Sequence, residues 1–325
     1  MRKNEMNIVL IADHYNLNGN IKIDTDNLEM ANEEYYLDVY NGLSTFCNSL
    51  TTYDNPQCFL RNIHKHKNDI VLSIWSGTKS RSRKGLIPAI CEAYGIKYVG
   101  SDCYVQILCQ DKSMAKQYCS QFGVKTPKYK ILSRSRQKID FYELKLPLIV
   151  KPLFEGGSIG ISEDNLVFDY SEAQEKCKDL LNYYDTIMIE EYLDGYELCV
   201  ILFGNQKTIK VRGASMIKVN GDSYLKNYIW GYEDKKANAP INRIKTVNAM
   251  DLLKKEDWDM FDQIFYSLGK VDLIRIDGRI NEKGFNLIEL SPDPHIGKGA
   301  SVAEVFKYNN IDYVSMLRML IENTL

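Results

Sequence analysis

Two acidic side chains near the C-terminus have the spacing needed to hold a divalent cation between them. Alternating apolar and charged residues in LIRIDGR predict a strand that projects Arg275, Asp277 and Arg279 to one face. A hairpin turn is predicted at 281–284, and the returning strand brings Glu289 close to Asp277. Two carboxylates together with phosphate oxygens suit Mg²⁺, a hard ion that takes oxygen ligands. A surface ion pair of Asp277 with Arg275 or Arg279 is the competing interpretation.

A glycine-rich stretch in the middle of the chain could bind phosphate. The apolar run Leu148–Val150 predicts a buried strand, which delivers Lys151 directly into a glycine-rich loop. Glycines lack a Cβ and accept positive φ, so successive backbone amides can converge on an anion beside the lysine charge. A nucleoside triphosphate is the favoured ligand, although a plain hairpin between two strands explains the same residues. The loop contains Gly156, Gly157, Ser158 and Gly160.

The segment Thr78–Lys84 is strongly basic. It follows a predicted strand and precedes a predicted helix, where open α/β sheets bind ligands, so it could hold an acidic or phosphorylated substrate. A solvated loop is the alternative. Nucleic-acid binding is disfavoured, because the net charge is −2 and the cluster has neither interleaved aromatic residues nor helix-turn-helix spacing. The basic residues are Lys79, Arg81, Arg83 and Lys84.

The composition describes an ordinary soluble protein of two or three domains. The 325 residues are 45% hydrophobic and 26% charged, enough for a substantial core. No apolar run approaches the roughly 20 residues that span a bilayer, and the N-terminus leads into a strand without a cleavage site. The sequence therefore predicts a cytoplasmic protein with no membrane partner. The eight cysteines form no Cys-x-x-Cys pair and the four histidines are dispersed, so we expect reduced thiols and no structural zinc.

Strand and helix patterns alternate along the first third of the chain, which predicts a parallel α/β domain. Gly95 is predicted to end the helix that precedes it, since glycine is favoured at that cap. The predicted strands are Asn7–Ala12, Ile70–Trp75 and Ile96–Val99, and the predicted helices are Leu28–Leu50 and Leu86–Tyr94.

The middle of the chain mixes helical, strand and loop patterns. A helix is predicted from Gln106 to Gln121, and a surface loop from Lys128 to Ile139. Gly213–Thr246 is long, polar and aromatic with few periodic signals, which predicts a mobile covering loop. Further predicted elements are a helix at Tyr170–Tyr184 and strands at Ile187–Glu190 and Glu197–Phe203.

Several motifs, taken in order, resemble those of the ATP-grasp enzymes, and most of all the D-alanyl-D-alanine ligase group. The similarity runs from about Gly85 to the C-terminus. The resemblance implies an α/β fold with α+β subdomains: an N-terminal parallel α/β substrate domain at 1–105, a central ATP-grasp subdomain with the phosphate lid at 106–188, and a C-terminal subdomain with the metal and catalytic site at 189–325. The most specific stretches are GIKYVGSD, QDKSMAKQ, PLIVKPLFEGGSIGIS, IEEYLDGYELCV and LIRIDGRINEKGFNLIELSPDPHIGKGAS.

The resemblance also implies where ATP binds. In such enzymes ATP lies between two antiparallel sheets, its adenine meets a hinge, and a lid covers its phosphates. The implied residues are Lys112 and Lys151 for the α- and β-phosphates, Glu155, Gly156, Gly157 and Ser158 for the lid, Glu190, Glu191, Tyr192 and Leu193 for the hinge, and Glu197 for the ribose hydroxyls.

The implied reaction is the ATP-dependent ligation of a carboxylate to an amine, with release of ADP and phosphate. The carboxylate attacks the γ-phosphate to give an acyl phosphate, which the amine then displaces. Such enzymes use one or two Mg²⁺ ions, with Mn²⁺ as a substitute, and commonly dimerise through the first domain. The implied metal ligands are Asp277, Glu289 and Ser291, and the implied catalytic residues are Arg275, Lys235 (with Lys226 and Lys236 nearby) and Ser301, which could instead cap a helix.

Three departures from the family pattern bear on the substrates. Ser291 stands where the metal motif usually has Asn, which leaves a second ion open. The loop ADHYNLNGN lacks the acidic residue that holds a substrate amino group, and SGTKSRSRKG replaces an acidic loop. We therefore predict a first substrate other than D-alanine, with an extra negative charge or no free amine, in a pocket that His295 also shapes. D-alanyl-D-alanine ligase itself is one alternative, and a catalytically inactive nucleotide-binding regulatory protein is another.

Overall fold

A parallel sheet forms the N-terminal part of the fold. The computed structural model describes residues 6–15, 31–77, 80–135, 140–229, 231 and 244–325 of the chain. The strands of this part are β1 (Asn7–Ile11), β2 (His14–Tyr15), β3 (Ala31–Asn32), β4 (Ser49–Tyr53), β5 (Ile70–Ser73) and β6 (Lys97–Tyr98), and its helices are α1 (Glu33–Ser44), α2 (Pro56–Asn62) and α3 (Leu86–Tyr94). The main sheet has the order β4-β1-β5-β6 with parallel neighbours, and β2 pairs with β3 separately.

The central strand of this sheet is buried on both faces. Residues 8–11 of β1 are almost fully buried, as expected for a parallel strand that helices cover on both sides. Gly95 follows α3 with a φ of 65°, the left-handed conformation that glycine adopts without strain. The predicted parallel α/β domain and its glycine cap are therefore confirmed.

The helix predicted at Leu28–Leu50 is wrong at both ends of its described part, since residues 31–32 form β3 and α1 ends at Ser44, while 28–30 lie outside the described residues. Within the described residues, α1 begins after Asn32, whose side chain accepts a hydrogen bond from the Tyr35 N–H at 2.8 Å. The chain then turns and Ser49–Tyr53 forms a parallel edge strand against β1. Two adjacent threonines favour a strand there, and the apolar spacing of so short a segment did not separate the two structures.

A second, antiparallel sheet follows two short helices. The helices are α4 (Cys103–Gln110) and α5 (Lys112–Ser120), and the strands are β7 (Tyr129–Ser133), β8 (Leu148–Pro152), β9 (Leu166–Val167) and β10 (Thr186–Glu191). The sheet order is β7-β10-β8-β9. Helix α6 (Tyr170–Tyr183) packs on this sheet and builds a separate core with it, which includes Leu148, Val150, Cys177 and Ile187.

Two predictions for this region are corrected. The single helix predicted at Gln106–Gln121 is broken at Asp111, which has extended backbone and caps α5 by accepting from the Ser113 and Met114 N–H groups. The surface loop predicted at Lys128–Ile139 contains β7, while 136–139 lie outside the described residues. β7 is an edge strand, and the polar and apolar residues of its sequence YKILS do not alternate in the way that marks a strand.

A third sheet carries the C-terminal part of the chain. Its strands are β11 (Gly195–Asn205), β12 (Thr208–Val219), β13 (Tyr224–Leu225), β14 (Ile244–Asn248), β15 (Leu273–Asn281) and β16 (Gly284–Ser291), and the helices are α7 (Lys255–Ser267), α8 (Ser301–Tyr308) and α9 (Tyr313–Glu322). The order is β14-β12-β11-β15-β16, with β13 paired to β11. The hairpin predicted at 281–284 is confirmed.

The covering loop predicted at Gly213–Thr246 is partly wrong. Residues 213–219 continue β12, and the segment also contains β13 and the start of β14. Backbone pairing of β12 with both β11 and β14 fixes residues 213–219 in the sheet, which the sequence alone did not indicate. Residues 230 and 232–243 lie outside the described part of the chain.

Side-chain alternation along β11 shows that the third sheet is covered on both faces. Leu198, Val200 and Leu202 enter a core that also contains residues of α4, α5 and α7. Ile201 and Phe203 enter another core, shared with α8, α9 and the N-terminal sheet.

Within the described residues, no helix combines the length and apolarity that a membrane span requires. The division at 105 and 188 stays a prediction, and β10 lies across the second of these boundaries.

Candidate active site

A cavity of about 750 Å³ lies where residues of the three sheets converge. It is lined by nearly every site residue predicted from the sequence; Lys235 lies outside the described residues. The predicted residues that line the cavity are Lys112, Lys151, Glu155, Gly156, Gly157, Ser158, Glu190, Glu191, Tyr192, Leu193, Glu197, Arg275, Asp277, Glu289, Ser291 and Ser301.

The two predicted metal carboxylates lie opposite each other. Asp277 on β15 pairs with Glu289 on β16 in the antiparallel register, next to a bulge that shifts the strands after Asp277. Arg275 binds Asp277 Oδ2 through Nη2 at 2.7 Å, and its Nη2 lies 3.3 Å from Ser291 Oγ and 3.9 Å from Glu289 Oε1. The carboxylate pair and the competing ion pair with Arg275 are thus both present, whereas Arg279 turns elsewhere.

The chemistry of this donor set fits a hard cation. Burial raises the pKa of Asp277 and the nearby Glu289 carboxylate raises it further, against the opposing charge of Arg275. Asp277 Oδ1 is buried and accepts no hydrogen bond from the described residues. Among the residues that the structure describes, no group of three or more His, Cys, Asp or Glu side chains could hold a metal ion by itself. A cation here would therefore need oxygens from a ligand or water besides Asp277 and Glu289.

The lysine predicted on β8 belongs to a buried charge cluster. Lys151 forms an ion pair with Glu190, and Lys116 Nζ lies 3.1 Å from the other carboxylate oxygen of Glu190. Burial alone would raise the pKa of Glu190, but the two ammonium groups outweigh it and the net shift is downward. Burial lowers the pKa of Lys116 to about 8. Lys116 was not predicted, although it follows Lys112 by one helical turn and so shares its face.

Lys112 joins the helical region to the glycine-rich loop. Its Nζ donates to the backbone carbonyl of Glu155 and lies 3.4 Å from that of Leu153. The same ammonium group is 3.9 Å from Glu289 Oε2. One side chain therefore lies between the loop and the carboxylate pair.

The glycine-rich loop is also the connection of a hairpin. β8 and β9 pair antiparallel, and the loop between them makes two tight turns, with N–H bonds from Ile159 to the Gly156 carbonyl and from Ile161 to the Ser158 carbonyl. Gly160 has a φ of +71°, and a Cβ there would lie 2.7 Å from the Tyr184 hydroxyl oxygen. Hairpin geometry and a loop that faces the cavity therefore describe the same residues.

Arg279, which also lines the cavity, contacts the predicted hinge. It donates to Glu197 Oε2 from Nη2 at 2.7 Å and from Nε at 3.1 Å, and to the Leu193 carbonyl at 2.7 Å. It also donates to the Tyr192 hydroxyl. The Glu191 N–H donates a hydrogen bond to the Lys128 carbonyl at 2.9 Å. Sequence reasoning placed Arg279 on the catalytic face and missed this role.

Paired charges and stacked rings form another part of the cavity lining. Lys84 Nζ lies 2.8 Å from Asp293 Oδ2, and the rings of Tyr35 and His295 stack with centroids 3.7 Å apart. Arg83 is buried and ion-paired with Glu155. Two residues of the basic segment are thus neutralised within the protein.

Two further members of the predicted site region are accounted for here. Arg81 lies over the Phe154 ring, outside the ion pairs just described. Ser301 lines the cavity as the first residue of α8, but Ala300 holds the cap position, so the capping role considered for Ser301 is wrong.

A family model described as D-ala D-ala ligase C-terminus matches residues 118–322, more than half of the chain. The chain belongs to this family. It is therefore a D-Ala-D-Ala ligase-like member of the ATP-grasp ligases, ATP-dependent enzymes that form C–N bonds.

Curated relatives of the ligase family cover most of the chain. A D-alanine–D-alanine ligase of Xanthomonas axonopodis pv. citri (strain 306) is 26% identical over 270 residues, which cover 79% of this chain and 78% of the relative. The D-alanine–D-alanine ligase of Thermotoga maritima is 23% identical over 285 residues, covering 84% and 86%.

Solved structures share the fold of this ligase-like chain. D-alanine–D-alanine ligase from Bacillus anthracis complexed with ATP has a TM-score of 0.69 at 18% identity, covering 98% of this chain and 97% of the other. VanG D-Ala:D-Ser ligase from Enterococcus faecalis has a TM-score of 0.70 at 18% identity, covering 98% and 99%. The predicted ATP-grasp fold with an N-terminal parallel α/β domain is confirmed.

Proposed function

We propose that this chain activates a carboxylic acid as an acyl phosphate with ATP and couples it to an amine. The observation that carries the proposal is that contacts join these groups around one cavity. Arg279 joins Glu197 to the hinge, Lys151 pairs with the hinge residue Glu190, and Lys112 lies between the glycine-rich loop and Glu289, which pairs with Asp277. These groups are of the kinds that the adenosine, the phosphates and the reacting centre of a bound ATP require.

Each part of the nucleotide has a matching part of the site. The adenine would lie against residues 190–193, and the ribose hydroxyls would donate to Glu197. Lys112 and Lys151 would neutralise the α- and β-phosphates, with Glu155–Ser158 as the lid over them. We propose Lys235, which lies outside the described residues, as the lysine that approaches the γ-phosphate.

Asp277 and Glu289 would hold Mg²⁺, which when bound neutralises charge on the phosphate oxygens. Ser291 donates no charge, so one ion is the expected number, and Mn²⁺ is an alternative ion. Asp277 holds Arg275 beside Glu289, and from there its guanidinium would stabilise the oxyanion formed as the amine attacks. A lid closed over the phosphates would keep water from the acyl phosphate.

For the first substrate we propose an acid other than D-alanine, which agrees with the two altered loops. Pairing of Arg83 and Lys84 with Glu155 and Asp293 favours an acid without a free amine over one with an extra negative charge. D-alanyl-D-alanine synthesis is the second candidate, because several relatives are named D-alanine–D-alanine ligases. The amine partner is a small molecule in either case, and a homodimer stays a prediction.

The test is release of ADP and phosphate from ATP with a panel of neutral, acidic and hydroxy acids, each with and without an amine. We expect an acid other than D-alanine to give the highest turnover, and the Asp277→Asn variant to lose it. D-alanine giving the strongest turnover of the panel would establish the second candidate. ATP binding without turnover on any acid would favour the regulatory alternative instead.

A further inference from the structure

Arg279 uses every N–H bond of its guanidinium within the protein. Nε and Nη2 donate to Glu197 Oε2, Nη2 also donates to the Tyr228 carbonyl at 2.7 Å, and Nη1 donates to the Leu193 carbonyl and the Tyr192 hydroxyl. A guanidinium has five such donors, so none is left for a ligand. With 4% of its surface exposed, Arg279 is therefore built to position other groups and not to bind substrate itself.

The partners of Arg279 come from separate parts of the chain. Arg279 lies on β15, Glu197 on β11, and Tyr192 and Leu193 in the hinge that follows β10. The Tyr192 hydroxyl is itself saturated, because it also donates to the Tyr228 carbonyl and accepts from the Tyr228 N–H, both at 2.8 Å. The guanidinium carbon lies 4.8 Å from the centroid of the Tyr192 ring. One arginine thus fixes the hinge, the ribose carboxylate and the chain at Tyr228.

Glu197 is held in one orientation by this arrangement. Both of its bonds to Arg279 end on Oε2, and within the described residues Oε1 accepts no hydrogen bond. Glu197 also lines the cavity. A carboxylate fixed through one oxygen presents the other to a hydroxyl donor in a defined direction, which lowers the entropy cost of binding it.

We propose that Arg279 is a positioning residue that aims Glu197 at the ribose and thereby gives the site its preference for ribonucleotides over deoxyribonucleotides. The inference rests on the proposed function, which places the ribose hydroxyls on Glu197. It deepens that function by naming the residue on which sugar selection depends.

The decisive experiment measures binding of ATP, 2′-deoxy-ATP and 3′-deoxy-ATP with Mg²⁺ by titration calorimetry, which needs no knowledge of the acid. We expect the wild type to bind ATP about tenfold or more tightly than at least one deoxy analogue, as for loss of a hydrogen bond to a charged group. Glu197→Gln should abolish most of this preference for ATP over the deoxy analogue. Arg279→Met should bring the two affinities to within about twofold of each other. Arg279→Lys should lower their ratio to less than half of the wild-type value, because an ammonium lacks the planar fork.

Two controls separate sugar selection from general damage. Affinity for inorganic tripolyphosphate should stay unchanged in the Arg279 variants, since the lysines and the lid are untouched. Arg212→Met is the matched variant: Arg212 also pairs with a carboxylate, Asp262, at 3.1 Å and lies over an aromatic ring, Trp258, but does not line the cavity. It should keep the wild-type ratio.

The outcomes distinguish the inference from the function beneath it. Full sugar preference in Arg279→Met, with the preference lost in Glu197→Gln, would overturn the role of Arg279 and leave the proposed function standing. A wild type without sugar preference, or Glu197→Gln that keeps it, would also overturn the inference. Failure of the wild type to bind ATP would overturn both. If Arg279→Met does not fold, the ratio in Arg279→Lys decides by the same criterion.

Discussion

The guanidinium of Arg83 binds Glu155 Oε2 at 2.9 Å, although 72 residues separate them in the chain. Arg83 follows the third strand of the N-terminal sheet, and Glu155 belongs to the glycine-rich loop of the second sheet. Arg83 also donates to the Ser76 and Ser80 carbonyls at 3.1 Å each, so its own loop holds it in place. The N-terminal sheet is thereby attached directly to the loop proposed to cover the phosphates.

Loss of this bond should uncouple ATP use from product formation. We expect Arg83→Gln to raise the ratio of phosphate released to amide formed, because a loosened loop admits water to the acyl phosphate. Glu155→Gln should raise the same ratio. A double-mutant cycle on this ratio should give a coupling energy between Arg83 and Glu155 of about 0.5–3 kcal/mol. Lys255→Gln, which breaks the exposed pair with Asp259, is the control and should change neither quantity. An unchanged ratio in both cavity variants would contradict the prediction.

Lys116 makes the stability of the fold depend on pH in the alkaline range. Its buried position lowers the pKa of its ammonium group from the ordinary value of 10.5 to about 8. Between these values the unfolded chain binds more protons than the folded protein, so the contribution of this group to the free energy of unfolding rises with pH. We expect the wild type to gain at most about 3 kcal/mol over Lys116→Met from below pH 8 to pH 10.5.

Urea denaturation at several pH values would measure that gain. Lys207→Met removes an exposed ammonium group and serves as the control. A difference between wild type and Lys116→Met that is constant or falls with pH would show that Lys116 keeps its proton beside Glu190.

Asp277 should set the Mg²⁺ requirement of nucleotide binding. We expect Asp277→Asn to raise the Mg²⁺ concentration for half-maximal ATP binding by about tenfold or more, because one of two carboxylate ligands loses its charge. Calorimetric ATP titrations at increasing Mg²⁺ would measure this. Asp262→Asn removes a carboxylate that pairs with Arg212 outside the cavity, and it should leave the Mg²⁺ requirement unchanged. Equal Mg²⁺ dependence in Asp277→Asn and the wild type would place the cation elsewhere.

Asn165 holds the base of the glycine-rich loop. Its buried amide donates to the Val150 carbonyl at 2.6 Å and to the Gly160 carbonyl at 2.9 Å, and accepts from the Ser162 N–H at 2.8 Å. Asn165→Leu leaves these groups unpaired, so we expect a loss of about 2–4 kcal/mol in the free energy of unfolding. Denaturant melts would measure this loss. Asn62→Ala is a milder control, because it removes a side-chain amide that donates to the Cys58 carbonyl in a helix. A loss no larger than that of the control would contradict the prediction.

The sequence predicted those parts of the site that local patterns determine. Alternation around Asp277 and the turn before Glu289 were sufficient to place the two carboxylates opposite each other. The lysine on β8 and the glycines after it likewise indicated a loop that takes part in a binding site, and this loop faces the cavity. Both features depend on backbone spacing within a short segment, which a sequence displays directly.

Features that depend on tertiary pairing were missed. Arg279 and Glu197 are 82 residues apart, and Lys116 meets Glu190 only because α5 packs beside the second sheet. Edge strand β7 and the second half of β12 were predicted as loops for a similar reason, since backbone pairing with partner strands fixes them in sheets.

The core that α8 and α9 share with the N-terminal sheet determines which part of this molecule can move. Residues from both ends of the chain, such as Leu10 and Leu317, are buried together there with Phe203 of the third sheet. The N-terminal sheet and the third sheet therefore share one core, whereas the second sheet and α6 form a separate apolar core. Opening of the cavity to admit ATP is therefore expected as a swing of the second sheet as a unit, with its pivots at the segments that enter β7 and leave β10.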